Sequence, residues 1–297
     1  MLEHLVASPE KPARVAVVGA GGFVGSAIAG ELRRLGVNVA ALARRDVDLL
    51  SGDAVMRLRD LLRPSDSVVL VAAIAPAKTL EQLMLNLRMA EHFCAAVETV
   101  RPSHLLYVSS DAVYADDANP VTERSPVAPT TLHGMMHAAR ELMLKTAMPG
   151  PLAILRPTLI YGAADPHSGY GPNRFRHQAA KGEPITIFGD GEEKRDHVVV
   201  GDVARLVARI LLRRSSGVLN AVTGISLPFA DIARMVAAQF NPPATVKSVP
   251  RPGPRPHLLH RFFDITDCLK AFPDFSYTPV AEGLARAHRD AKGAADG

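Results

Sequence analysis

Apolar residues in the first half of the chain recur in two alternating rhythms. Residues 14–19 (RVAVVG) form a short β-branched run ending in glycine, the pattern of a strand buried on both faces of a parallel sheet. Residues 23–35 then carry apolar positions at helical spacing and stop at Gly36, a residue suited to capping a helix in the left-handed region. The alternation goes on to predict a strand over 37–42, a helix over 53–63, a strand over 66–72 and a long helix over 79–99 that Pro102 stops. A strand over 104–110, a helix between Pro129 and Met148, and a strand over 152–156 complete the series. Such alternation implies right-handed crossovers and an α/β fold built on a doubly wound parallel sheet.

Beyond Pro157 the elements shorten. Residues 161–173 (YGAADPHSGYGPN) and 188–193 (FGDGEE) read as turns, with helices over 202–213 and 228–240 and a proline-rich connection at 250–256 (PRPGPRP). Residues 1–160 are therefore read as a dinucleotide-binding domain and 161–297 as a smaller C-terminal substrate lobe, with part of 193–222 returning to the sheet. That lobe is expected on the sheet's carboxyl edge, where doubly wound folds place ligands.

Composition narrows the class. Of 297 residues, 47% are hydrophobic and 22% charged, enough to bury a sizeable core and unlike a disordered chain. Thirty-four basic against thirty acidic side chains leave +4 without any block of five like charges, so no nucleic-acid partner is expected. No apolar run approaches the roughly eighteen residues of a membrane helix, and the N-terminus lacks a secretory pattern. A cytoplasmic protein with no membrane partner is the expectation. Cys94, in an apolar helical stretch, reads as a buried thiol of a reducing compartment.

Gly19, Gly22 and Gly25 form GxxGxxG between the first strand and the first helix. Glycine lets the backbone turn tightly and approach a pyrophosphate, while the helix N-terminus offers unpaired N–H groups to the anion. A cofactor without a 2′-phosphate is usually held by a carboxylate at the end of the second strand. Here that place reads Ala41-Leu42-Ala43-Arg44-Arg45, with no acid before Asp46. Two guanidinium groups suit a 2′-phosphate, so NADP is expected ahead of NAD; solvated surface arginines are the alternative.

Taken together these residues resemble the extended short-chain dehydrogenase/reductase family, the NAD-dependent nucleotide-sugar epimerases, dehydratases and reductases with a Rossmann sheet. The marks are GAGGFVG (19–25), Asp48-Leu49, VAA (71–73), Asn86, YVSSDAVY (107–114), RPTLIYG (156–162), the 182–206 segment around FGDGEEKRD, and FSYTPVAEGL (275–284). The resemblance implies that Gly19, Gly22, Phe23, Val24, Gly25, Ala72, Ala73 and Pro157 contact the dinucleotide, with Asp48 and Leu49 at its adenine. It implies that Ser110 hydrogen-bonds the reacting oxygen and that Asn173 and Arg195 contact the substrate, Arg195 at its diphosphate. Arg251 or Arg255 is expected to add a second phosphate contact. Surface ion pairs are the alternative for each arginine. Relatives commonly pair through two long helices, here 79–99 and 130–148, so a homodimer is an open expectation.

The family's catalytic helix carries Tyr-x-x-x-Lys, and this chain does not. The segment PTTLHGMMHAARE puts His133 where the tyrosine belongs and His137 where the lysine belongs, and no tyrosine in the chain has a lysine four residues later. Three readings stand. His133 acts as general acid/base with His137 on the cofactor ribose. Alternatively, the chain binds cofactor without ordinary redox activity, as a sensor or scaffold. Or the two histidines bind a metal, although Gly134 replaces the glutamate of HExxH and no third ligand is evident, so no metal is expected. Asp111 stands where dehydratases begin an acid–base pair, but Ala112 follows it, which disfavours dehydration. Leu159 replaces an asparagine common in epimerases, tilting the expectation toward 4-keto-sugar reduction or an atypical branch of the family. A non-sugar ketone substrate is the further alternative.

Overall fold

The computed structural model describes residues 2–253 and 258–293; the candidate Arg255 lies outside them. The chain runs β1 (Leu2–Glu3), β2 (Val15–Val18), α1 (Phe23–Arg34), β3 (Val39–Leu42), α2 (Ala54–Leu61), β4 (Ser67–Leu70), α3 (Leu80–Val100) and β5 (His104–Val108). It continues with α4 (Leu132–Ala147), β6 (Leu152–Pro157), β7 (Leu159–Tyr161), α5 (Pro172–Ala180), β8 (Ile185–Phe188), β9 (Lys194–Val199) and α6 (Val200–Leu212). The last elements are β10 (Ser216–Ala221), β11 (Ser226–Pro228), α7 (Phe229–Ala237), β12 (Val246–Val249), α8 (Thr266–Ala271) and α9 (Val280–Gly293).

Among the described residues the main sheet has seven strands in the order β1-β10-β6-β5-β4-β2-β3. All neighbours pair in parallel except β1, which joins β10 antiparallel. Because β2 lies between β3 and β4, the chain winds outward from it in both directions. The crevice beyond the ends of β2 and β4 is thus a topological switch point, where such sheets bind ligands.

The period-two alternation of β2 divides the core. Val15 and Val17 face α1 and α6, meeting Ile28, Leu32, Val203, Leu206 and Val207. Ala16 and Val18 face the opposite side, with Leu58 of α2, Phe93 and Val97 of α3, and Leu144 of α4. Helices on both faces explain why β2, β4 and β5 are buried along their full length and are almost wholly apolar, with Ser67 and His104 as the polar first residues of β4 and β5.

Local chemistry sets the helix ends. Thr79 and Gln82 form a reciprocal capping box at the start of α3, and Arg101 ends it in the left-handed region at φ 52°. Gly36, at φ 72°, follows α1 as expected.

Beyond β6 the chain builds a third core from Phe175, Ile185, Ile187, Phe229, Ile232, Val236 and Leu284. It is flanked by a three-stranded sheet (β11-β9-β7) and a two-stranded one (β12-β8), while β10 joins the main sheet beside β6. The segment expected as a loop over 161–173 is bounded more tightly than its turn residues suggest. Tyr161 closes β7, and Pro172 and Asn173 already form the first turn of α5, where proline's fixed φ suits a helix start. The helix expected over 228–240 is shorter, spanning Phe229–Ala237.

Candidate active site

The glycine loop closes over the end of β4. Gly19 sits at φ +100°, and a Cβ there would lie 2.6 Å from the Ala72 nitrogen; one at Gly25 would lie 2.1 Å from the Gly19 carbonyl oxygen. Gly22 caps α1 without any side-chain hydrogen bond, and no acidic residue occupies the first turn. The open N–H groups and the absence of nearby negative charge fit a dinucleotide's pyrophosphate.

Gly19, Gly22, Phe23, Val24, Gly25, Ala73 and Pro157 line one cleft of about 890 Å³ together with Ser110, Asp111, His133, His137, Asn173 and Arg195. Residues from α1, β5, α4, β6, β7, α5 and β9, and from the loops that follow β2 and β4, thus converge on the switch point.

On the catalytic side, Ser110 caps a single 3₁₀ turn, Asp111–Val113, its Oγ accepting from the Ala112 N–H at 3.2 Å. Thr131 caps α4 by accepting from the Gly134 N–H at 3.1 Å. The two turns touch so closely that a Cβ at Gly134 would lie 2.0 Å from the Ala112 carbonyl oxygen. Farther along α4, buried Glu141 receives Arg156 at 2.6 and 2.9 Å and the Ser109 hydroxyl at 2.6 Å, tying the helix to β5 and β6.

The two histidines stack edge to face with centroids 4.7 Å apart. The Ala77 N–H points at His133 Nδ1 at 3.4 Å, so a neutral ring keeps its proton on Nε2. Burial pushes the His133 imidazole down to about 4. His137 falls well below the ordinary range, through burial first and then through the nearby His133 and Arg140. Both are neutral near pH 7. Among the described residues no group of three His, Cys, Asp or Glu side chains gathers as a metal site.

Glu193 gathers two of the expected phosphate arginines. It pairs with Arg195 at 2.7 Å and with Arg251. Arg195 also donates to the Lys194 and Leu258 carbonyls, each at 2.7 Å. Asn173 bonds Asp165 and accepts from the Gly162 N–H at 3.3 Å, which holds the loop against β7. Arg44, Arg45, Asp48 and Leu49 lie past the end of β3, outside the residues lining the cleft. Arg44 pairs with Asp48 at 3.0 Å on the surface.

Arg261 escapes sequence reasoning. Buried on the cleft wall, it donates to Asp116 at 3.2 Å and to the Asp111 carbonyl at 3.4 Å, across 150 residues of chain. No local motif marks it. Tyr107 and Arg140 lie inside YVSSDAVY and PTTLHGMMHAARE, but no spacing rule assigns either a role.

The sequence profile of the NAD dependent epimerase/dehydratase family matches residues 15–222, and the chain belongs to that family. A dTDP-4-dehydro-6-deoxy-D-allose reductase from Streptomyces bikiniensis is 27% identical, over 93% of this chain and 95% of the relative. Among solved structures, a GDP-L-fucose synthetase from Naegleria fowleri bound to NADP superposes with a TM-score of 0.86 at 16% identity, covering 99% and 98% of the two chains. MoeE5 in complex with UDP-glucose and NAD gives 0.81 at 25% identity, covering 95% and 99%.

Proposed function

We propose that this protein is an NAD(P)(H)-dependent oxidoreductase or epimerase of nucleotide-activated sugars, working by hydride transfer, with His133 in place of the family's tyrosine. The observation that carries the reading is that Ser110, His133 and His137 open into the same cleft as the glycine loop. The reductase relative favours 4-keto reduction, and catalysis over a sensor or scaffold role. Residues 1–160 hold the cofactor and 161–297 the substrate, with Arg195 and Arg251 at the diphosphate. NADP is preferred because Arg45 is exposed and the surface pair of Arg44 is readily exchanged for a phosphate. Exposed Met84, Met135 and Leu142 on α3 and α4 support pairing of two copies.

A nicotinamide dinucleotide held at Gly19, Gly22 and Gly25 would supply the hydride chemistry. Ser110 presents its hydroxyl, and His133 its Nε2–H, to the reacting oxygen. Both donors hold charge as it develops there, a role a neutral imidazole performs without first being protonated. In the reductive direction one of these donors gives its proton to the new alkoxide and is reprotonated from solvent, which restores it for the next turnover. His137 seats the nicotinamide ribose.

His133→Phe is expected to lower kcat by about 10²- to 10⁴-fold while dinucleotide affinity, measured by titration calorimetry, is kept. Full activity in that variant removes His133 from the mechanism. A wild-type protein that binds neither NADP(H) nor NAD(H) at millimolar concentration overturns the whole reading.

A further inference from the structure

The charge missing at position 137 reappears one turn along the same helix. Arg140 is 0% exposed and, among the described residues, makes no ion pair. Its Nη2 donates to the Ala72 carbonyl at 2.8 Å, beneath the loop that meets Gly19, and its Nη1 approaches the Asn86 carbonyl oxygen at 3.5 Å. Its Nε has no partner among the described residues, and its guanidinium lies 5.2 Å from the centre of the Tyr107 ring. A buried, unneutralised cation is costly to keep, and it acts strongly on whatever lies beside it.

Tyr107, at the sheet's centre, places its hydroxyl 2.6 Å from His137 Nδ1. Tyr107 is 1% exposed, and His137 is the only partner of this hydroxyl among the described residues. Were the imidazole proton on Nδ1, the phenol hydrogen would be buried with no acceptor, an arrangement folded proteins avoid. The phenol therefore donates to Nδ1, and the ring's single proton sits on Nε2, the nitrogen turned away from Tyr107, on a side chain that lines the cleft.

We propose that Tyr107 and Arg140 are positioning residues that hold His137 as a neutral Nε2–H donor to the dinucleotide's ribose, with Arg140 supplying from below the fixed positive charge that His137 lacks. The ribose contact rests on the function proposed above; the proton's location on His137 does not. Lysine joins charge and hydrogen bond in one ammonium group. Here they are divided between two side chains, and the tyrosine sets which imidazole nitrogen carries the proton.

Histidine-selective ¹⁵N NMR on the full-length protein at pH 7, with the His137 signals assigned by a His137→Gln variant, tests this directly. The expected result is an unprotonated Nδ1 and a protonated Nε2. Tyr107→Phe should give a mixture of tautomers and weaken NADPH binding about tenfold. Arg140→Met should weaken it similarly, with Arg140→Lys restoring most of the affinity and thermal unfolding verifying that each variant folds. A proton on Nδ1, an imidazolium, or a tautomer unchanged in Tyr107→Phe overturns the proposal. Equal losses in Arg140→Lys and Arg140→Met overturn the charge role. If wild-type protein binds no dinucleotide, the ribose contact falls together with the proposed function, while the tautomer spectrum still judges the Tyr107 assignment.

Discussion

At position 134 only a hydrogen atom fits. The first turn of α4 lies directly on the Ser110–Ala112 turn, and a methyl group would reach 2.0 Å from a backbone oxygen that cannot swing aside. Gly134→Ala is therefore expected to cost about 3 kcal/mol, the upper end for overpacking, and to lower kcat by separating His133 from Ser110. Dinucleotide binding should fall less than turnover, since the glycine loop belongs to β2 and α1 rather than to α4. Urea denaturation with steady-state kinetics checks this; unchanged stability and turnover would show that the two turns do not touch. The sequence marked this glycine only as the residue that spoils HExxH. Its real constraint comes from residue 112, which no local pattern connects to it. Arg261 is a stronger case, since its contacts with Asp111 and Asp116 depend on how the C-terminal segment returns to the cleft.

Among the elements, α4 is held by one buried cluster. Glu141, 2% exposed, satisfies both Arg156 and Ser109, so it links α4 to β6 and to the residue that follows β5. Removing it leaves the Arg156 charge buried and unpaired. Glu141→Ala should lose about 3–5 kcal/mol, and pairing it with Arg156→Met should recover much of that loss, because replacing both partners removes the uncompensated charge. Equal stabilities for the single and double variants, measured by chemical denaturation, would argue that the pair is not coupled. The parallel-sheet elements were legible because apolar periodicity and glycine or proline punctuation act over a few residues. The short strands β7, β8 and β9 were not: at three to six residues with mixed polarity, they are strands only because neighbours supply their hydrogen bonds.

For the whole molecule, buried histidines set the response to acid. Burial pushes His104 and His133 down to about 4 and His197 to about 3, and lowers His137 as well. In the unfolded chain each titrates near 6.5. Below that pH the unfolded state binds more protons, so the stability these groups confer is complete above about 6.5 and declines as pH falls toward 4. At pH 5 each group forfeits on the order of 2 kcal/mol, against a total stability of roughly 5–15 kcal/mol. Asp196, pushed up to about 6 by burial, works in the opposite sense, as do Glu123 and Asp165, which burial also raises, while the lowered His177 and His288 add to the histidine effect. Thermal unfolding should show a steep loss of Tm between pH 6.5 and 5; a flat profile would mean that these rings are solvated. Among the described residues, no helix is long and apolar enough to cross a membrane.

The amino-acid order alone determined the strand–helix rhythm, the glycine-bearing entry to α1, the pair His133 and His137 one turn apart, and the lack of any tyrosine followed four residues later by lysine. Each is a matter of spacing within a few turns of chain. Tertiary structure alone decided what those histidines face. Tyr107 arrives from a neighbouring strand, the Ala77 amide from a loop 56 residues away, and Glu193 draws Arg195 and Arg251 together. An imidazole's charge and proton position follow from burial and from which donor meets which nitrogen, and those are properties of packing between distant segments.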